Sequence, residues 1–437
     1  MVATIIKGKY LMSEEGLKED WGVKIVKNRI FQVAPNSQII AHEEDIIIEA
    51  KEQIIAPGFV NGHMHMYGVL SHGITAETLV TEFSSFLKDF WWPYVENRLD
   101  HELAKITTKW ACVEMIKSGI TSFTDILEAP NSIPGALEVE GKEIKKAGLR
   151  AFLSFEACER ISFDNGQLGL KENADFVKVN NKNGNLVQGM MSVHTLFTGS
   201  KEYMIQAKRM ADELNCDIHM HLSESVFEPN WCLEKYGKRP VDVYEEIGYL
   251  DKNVFASQVV QVEDCELNTM VKRGIRAVSM PLSNCEVGGG VAPLSKMLEK
   301  GMQVGLGTDG YINNFFEVMR GAFLIHKAYM QDPQVMPAKD VYKMATSMGA
   351  EAMGLKDAGK LKEGYLADLI TIDLDLPTPI NEHNVYDQLI LFRNPENVRD
   401  VMVDGKFLKR NGKLLTMNEE NAKEEIKQAT KKFWSVK

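Results

Sequence analysis

The chain has 437 residues, 44% of them hydrophobic and 25% charged, with a formal net charge of −11. That length exceeds one small core, so we expect a large domain with a smaller one, or a barrel with an added layer. The acidic balance excludes nucleic acid as a partner, because such binding rests on Lys and Arg neutralising phosphates. The sequence offers no run of ~18 apolar residues that would span a bilayer, so no membrane partner is expected.

The segment Met1–Lys7 lacks the charged and apolar regions of an export signal, which points to a cytoplasmic protein. Six scattered cysteines without a CxxC pair (Cys112, Cys158, Cys216, Cys232, Cys265 and Cys285) suit buried free thiols better than a Cys-ligated metal.

Residues 1–56 alternate as short strands, around Thr4–Lys7, Gly22–Val26, Arg29–Val33 and Asp45–Ala50, in the manner of a meander. A buried strand then ends in Pro57-Gly58-Phe-Val-Asn-Gly-His63-Met-His65. Residues two apart in a strand share a face, so His63 and His65 point into one pocket. From about Glu77 to Lys117 the pattern turns helical, with one stretch carrying Phe83, Phe86, Phe90 and Trp91-Trp92-Pro93 and another from His101 to Lys117.

Strands then recur at Ile120–Asp125, Leu149–Phe155, Val187–His194, Cys216–His221, Val254–Val260, Ile275–Met280 and Gln303–Asp309, most preceded by a helix closed by glycine. With the strand at Phe59 this makes about eight parallel strands, the arithmetic of an α/β (β/α)8 TIM barrel over 57–359. A doubly wound sheet competes, but no G-x-G-x-x-G follows the first strand. Past Gly359 strands return, including a hairpin at Val401–Leu408 with an Asp404-Gly405 turn, so 1–56 and 360–437 are expected to form one composite β-sandwich domain. A last helix should start near Thr416, with Glu419 placed for a capping box and a solvated outer face.

In a barrel the reactive side chains occupy the C-terminal strand ends. Those ends carry His63, His65, His194, His221, Gln258 and Asp309. His63, His65, His221 and Asp309 make an N3O set for one divalent metal, Zn2+ first and Fe2+ second. Such a metal lowers the pKa of a coordinated water from ~15.7 towards ~7. Asp309 can serve as ligand and proton acceptor, and Glu224, three residues past His221, as proton carrier. His194, His72, Trp92 and Asn313 are candidate substrate contacts, although core burial explains a tryptophan and helix capping an asparagine. His219 shares the strand of His221 but lies one layer deeper and reads as core.

Taken together, these motifs resemble the amidohydrolase superfamily, in its cytosine-deaminase-like and triazine-hydrolase-like branch. The resemblance runs through Pro57–His65, Val193-His194, His219–Glu224, Ser283-Asn284 with Gly290–Pro293, Gly305–Gly310 and Gly364–Leu369. Phe90–Trp92 and Phe323–Lys327 are similar to SsnA-like aminohydrolases. The resemblance implies a metal-dependent hydrolase, a deaminase of a small N-heterocycle such as a purine, pyrimidine, pterin or triazine, and a homo-oligomer. Two departures stand out: Gln258 where the family has a histidine, and Ser279 where a histidine commonly precedes the proline. Gln258 cannot hold a proton at neutral pH, so cyclic-amide or C–Cl hydrolysis, or a catalytically silent ligand-binding protein, are the alternatives.

Overall fold

The computed structural model describes residues 2–74 and 79–435. Strands β1 (Ala3–Ser13), β2 (Gly16–Glu19), β3 (Trp21–Val26), β4 (Arg29–Pro35) and β5 (Ile46–Pro57) open the chain. Their order departs from the expected meander: β5 returns to pair in parallel with β1, while β3 takes β1's other edge antiparallel. Burial explains the return, since Ile48, Ala50 and Ile55 of β5 join Ile6 and Leu11 of β1 in one small core. Each isoleucine or leucine among them gains ~1.5–3 kcal/mol on leaving water.

The barrel follows as β6 (Phe59–Met64), β7 (Ile120–Leu127), β8 (Arg150–Phe155), β9 (Val187–Gly189) continuing as β10 (Met191–Ser192), β11 (Ile218–Leu222), β12 (Val254–Gln258), β13 (Arg276–Ser279) and β14 (Val304–Leu306). All neighbours run parallel. The interrupted run β9 and β10 pairs β8 on one side and β11 on the other, and β14 pairs β6, so eight strand positions close into a ring. An open doubly wound sheet would leave two free edges.

Strands β15 (Leu369–Asp373), β16 (Val398–Val403), β17 (Lys406–Arg410) and β18 (Lys413–Leu414) complete the sheet begun at the N-terminus, β15 pairing antiparallel with β5. The β16–β17 turn has φ +51° at Asp404 and +73° at Gly405, the two left-handed residues that a type I′ hairpin requires. The terminal sheet and barrel are joined by a buried ion pair, Arg150 Nε donating to Asp368 Oδ2 at 2.7 Å and Nη2 to Oδ1 at 3.2 Å.

Three local expectations are revised. The helical stretch around Trp91 is a short α-turn, a π-turn over Phe86–Trp91 and a further α-turn. Pro93 lacks an N–H and its ring crowds the carbonyl four residues back, so the wider turn accommodates it. The expected start of this stretch, Glu77, lies outside the described residues. The final helix spans Glu419–Ser435, and its cap is Asn418, whose Oδ1 accepts from Asn421 N at 3.0 Å. Glu419 instead pairs with Lys117 at 2.5 Å, and Ala422, Ile426, Ala429 and Phe433 are buried. Of the six free thiols, Cys265 and Cys285 are exposed, against the expectation of burial.

Candidate active site

His63 closes β6 and His65 follows it, their ring centroids 4.8 Å apart. His221, on β11, stands 4.9 Å from His63 and 5.5 Å from His65. One ring nitrogen from each falls within 4.8 Å of the others, a spacing that lets three donors meet on one ion. His65 Nδ1 donates to Ile126 O at 2.6 Å, which leaves Nε2 as the lone-pair nitrogen facing Asp309 Oδ1 at 3.6 Å.

Whether these residues suit a metal is tested by their own bonding. His63 is fully buried, and neither of its ring nitrogens has a hydrogen-bond partner among the described residues. Two orphaned polar atoms in a core are costly unless something absent from the protein satisfies them. Burial, then His65 and His221, push His63 well below its ordinary value, and burial lowers His221 to about 4. Both are therefore neutral imidazoles, the form that ligates metals. The residues present fit a divalent cation.

Asp309 lies beyond β14 with φ +58°, its backbone fastened to β6 by Asp309 N to His63 O at 3.1 Å. Burial raises its carboxyl, but His65 and His221, with bonds from Gly310 N and Gln258, outweigh that and hold it below the usual range. Oδ2 accepts from Gln258 Nε2 at 2.7 Å and from Ser283 Oγ at 3.0 Å. The loop carrying Asp309 lies directly against the turn after His65: a Cβ added to Gly68 would sit 2.4 Å from Gly310 O and 2.6 Å from its Cα.

Above this floor opens a cavity of about 780 Å³. His65, His194, His221, Glu224, Gln258, Asp309, Trp92 and His72 all line it. Glu224 is pushed well above the carboxylate range by burial and then by Asp309 and Glu156. His194 is neutral for the same burial reason, and its Nδ1 has no partner among the described residues. His72 Nε2 lies 3.0 Å from Gly310 O. Asn313 is placed differently: its Nδ2 donates to Glu114 Oε2 at 2.8 Å, and it is not among the described residues that line the cavity. His219 contacts Ser192 Oγ through Nδ1 at 3.1 Å and stacks on His63, one layer down.

The structure also adds residues that motif reading passed over. Glu156, just past β8, lies 2.7 Å from His221 Nδ1, and Glu96 and Glu128 are buried nearby around Arg160. Three carboxyls for one guanidinium leave Glu96 and Glu156 raised, burial being the leading cause in each. The strand-end rule that located His194 would have found Glu156 had the third strand been read to its end.

The amidohydrolase family profile matches residues 54–408. The chain belongs to the amidohydrolase family. Over 441 residues, and 99% of each chain, this amidohydrolase is 32% identical to a 5'-deoxyadenosine deaminase of Methanosarcina acetivorans. It is 31% identical to a 5-methylthioadenosine/S-adenosylhomocysteine deaminase of Thermococcus sibiricus, covering 93% of this chain and 94% of the relative. Its fold matches a zinc-bound adenosine deaminase of Xanthomonas campestris at TM-score 0.90 and 22% identity, covering 100% and 99% of the two chains. A zinc-bound atrazine chlorohydrolase of Arthrobacter aurescens matches at TM-score 0.86 and 19% identity, covering 98% and 99%.

Proposed function

We propose that this amidohydrolase is a metal-dependent hydrolytic deaminase of a 6-aminopurine nucleoside. The observation that carries the reading is the set of His63, His65 and His221, with His63 unpartnered among the described residues, beside an ionised Asp309 at the floor of a large cavity. The relatives at 31–32% identity are named as deaminases of adenosine derivatives, which supports the purine.

His63, His65, His221 and Asp309 would hold the cation, and three nitrogens with one oxygen suit Zn2+ ahead of Fe2+. The ion, when bound, supplies the Lewis acidity that makes a water nucleophilic at neutral pH. Glu224, lining the cavity with its carboxyl raised by burial, gives a proton to the ring nitrogen beside the reacting carbon, which lowers the cost of attack there. His194 orients the ring through its free nitrogen, and Trp92 walls the pocket.

The charge of the cavity bears on the substrate. Glu82, Glu96, Glu156, Glu224, Glu286 and Asp309 line it, with no Lys or Arg among the described lining residues. A phosphate would find no basic side chain there to pair with, so a nucleoside is supported over a nucleotide. Cyclic-amide and C–Cl hydrolysis, and the catalytically silent reading, are not favoured by deaminase relatives and a complete set of ligands. A cytoplasmic setting accords with six free thiols, no described helix is long and apolar enough to cross a membrane, and a homo-oligomer is proposed from family resemblance.

Ammonia release from zinc-loaded protein tests the reading. Adenosine and 5'-deoxyadenosine should turn over, with adenosine 5'-monophosphate at least about a hundredfold poorer in kcat/KM. Release from pyrimidines, pterins or triazines alone would overturn the purine assignment.

A further inference from the structure

We infer that Gln258 reads the leaving group: its side-chain oxygen accepts an N–H from the amino substituent that is displaced, and so selects amino over chloro or alkoxy substituents. The inference rests on the deaminase reading above. Gln258 ends β12 and lines the cavity at 1% exposure. Its Nε2 is committed to Asp309 Oδ2 at 2.7 Å, while its Oε1 is buried with no partner among the described residues. The opposite amide orientation would set Oε1 against an ionised carboxylate, two acceptors face to face, so chemistry selects the orientation found.

The backbone holds that amide where it is. Gln258 has φ +72° and Val259 φ +51°, a conformation that non-glycine residues adopt at a cost and keep only where the surroundings over-determine it. Val259 N is fixed by Leu222 O and Ser257 O, each at 3.0 Å. Gln258 thus lines the chamber beside Asp309, and its oxygen is the atom of that amide left without a partner among the described residues. A histidine at this position would offer a proton; Gln258, its donor already used, offers a lone pair.

In the reaction a water adds to the ring carbon, the C–N bond breaks with its electrons going to nitrogen, and ammonia leaves with its two amino hydrogens and one proton from that water, whose other proton replaces the one Glu224 gave to the ring nitrogen. Gln258 neither gives nor takes a proton. It holds the amino hydrogens in the bound substrate, and a chloro or methoxy group in that place leaves the acceptor unpaired. A site built around such a hydrogen bond discriminates against the analogue that lacks it.

The test compares adenosine with 6-chloropurine riboside. Gln258→Met should lower the adenosine to chloropurine ratio of kcat/KM by roughly tenfold to a hundredfold. Ser283→Ala, which removes the other side-chain donor to Asp309 Oδ2, should lower both substrates by a common factor. If Gln258→Met also lowers both alike, Gln258 only positions Asp309 and the inference fails. A second readout leaves position 258 unchanged: calorimetry on the Glu224→Gln protein should show adenosine bound about tenfold or more tighter than the chloropurine. Equal affinities there would overturn the inference even if Gln258→Met does not fold. Absence of ammonia from every nucleoside with wild-type protein would instead overturn the deaminase reading itself.

Discussion

On the proposed reading, single side chains in this site divide into those that would hold the cation and those that would move protons, and substitutions should separate the two. His221 supplies one of three converging nitrogens, so His221→Ala should lose stoichiometric zinc on metal analysis after dialysis. Glu224 is no part of that set. Glu224→Gln should keep the metal and lose roughly 10²–10⁴ in kcat, because the amide cannot carry a proton. Full zinc content in His221→Ala would refute the ligand set, and an undiminished rate in Glu224→Gln would refute the proton carrier.

Between elements, the decisive contact is the close approach of the turn after β6 to the loop after β14. Gly68→Ala would drive a methyl into the Gly310 backbone and separate His65 from Asp309. Overpacking of this kind costs about 1–3 kcal/mol, and here weakened zinc affinity should accompany a lowered melting temperature. Unchanged affinity in a folded Gly68→Ala protein would show that the two loops move independently.

A second junction is pH-sensitive. Lys409 of β17 is buried, its Nζ donating to Lys117 O at 3.2 Å and Pro395 O at 3.4 Å. Burial, then Lys117 and Arg399, lowers its ammonium to about 8, against ~10.4 in an unfolded chain. Folding is therefore penalised fully below pH 8, and the penalty fades as pH rises towards ~10.4, where the unfolded chain also gives up the proton. Urea denaturation should show wild type gaining on Lys409→Met between pH 7 and pH 10. A constant difference would mean that Lys409 titrates like a surface lysine.

At the scale of the molecule, the two ends of the chain build one sheet that is tied to the barrel by polar links. Arg150 and Asp368 form a buried ion pair among them, and Asp368 Oδ1 also accepts from Asp404 N at 2.7 Å. Removing Asp368 leaves the buried Arg150 only the longer contact to Asp404 at 3.7 Å, costing up to about 3–5 kcal/mol. Asp368→Ala should lower the melting temperature while the folded protein keeps its metal, because the pair lies outside the ligand set. The last helix is a further tie: Trp434 Nε1 donates to Leu70 O at 2.8 Å, in the turn that begins just after His65.

The sequence by itself determined the barrel, because most of its strands are local apolar runs preceded by a glycine-closed helix, and local patterns need no knowledge of distant contacts. It also put His63 and His65 on one face, since a two-residue period is a property of the strand alone. The return of β5 to β1, the π-turn ahead of Pro93 and the Asn418 cap were decided by packing and by competition among local partners. The buried carboxyls Glu96 and Glu128 converge on Arg160 from separate segments, Glu156 lies 2.7 Å from His221 Nδ1, and the bond from Gln258 to Asp309 spans 51 residues. Only closure of the ring brings such groups into hydrogen-bonding distance, and there the unpaired oxygen of Gln258 acquires its meaning.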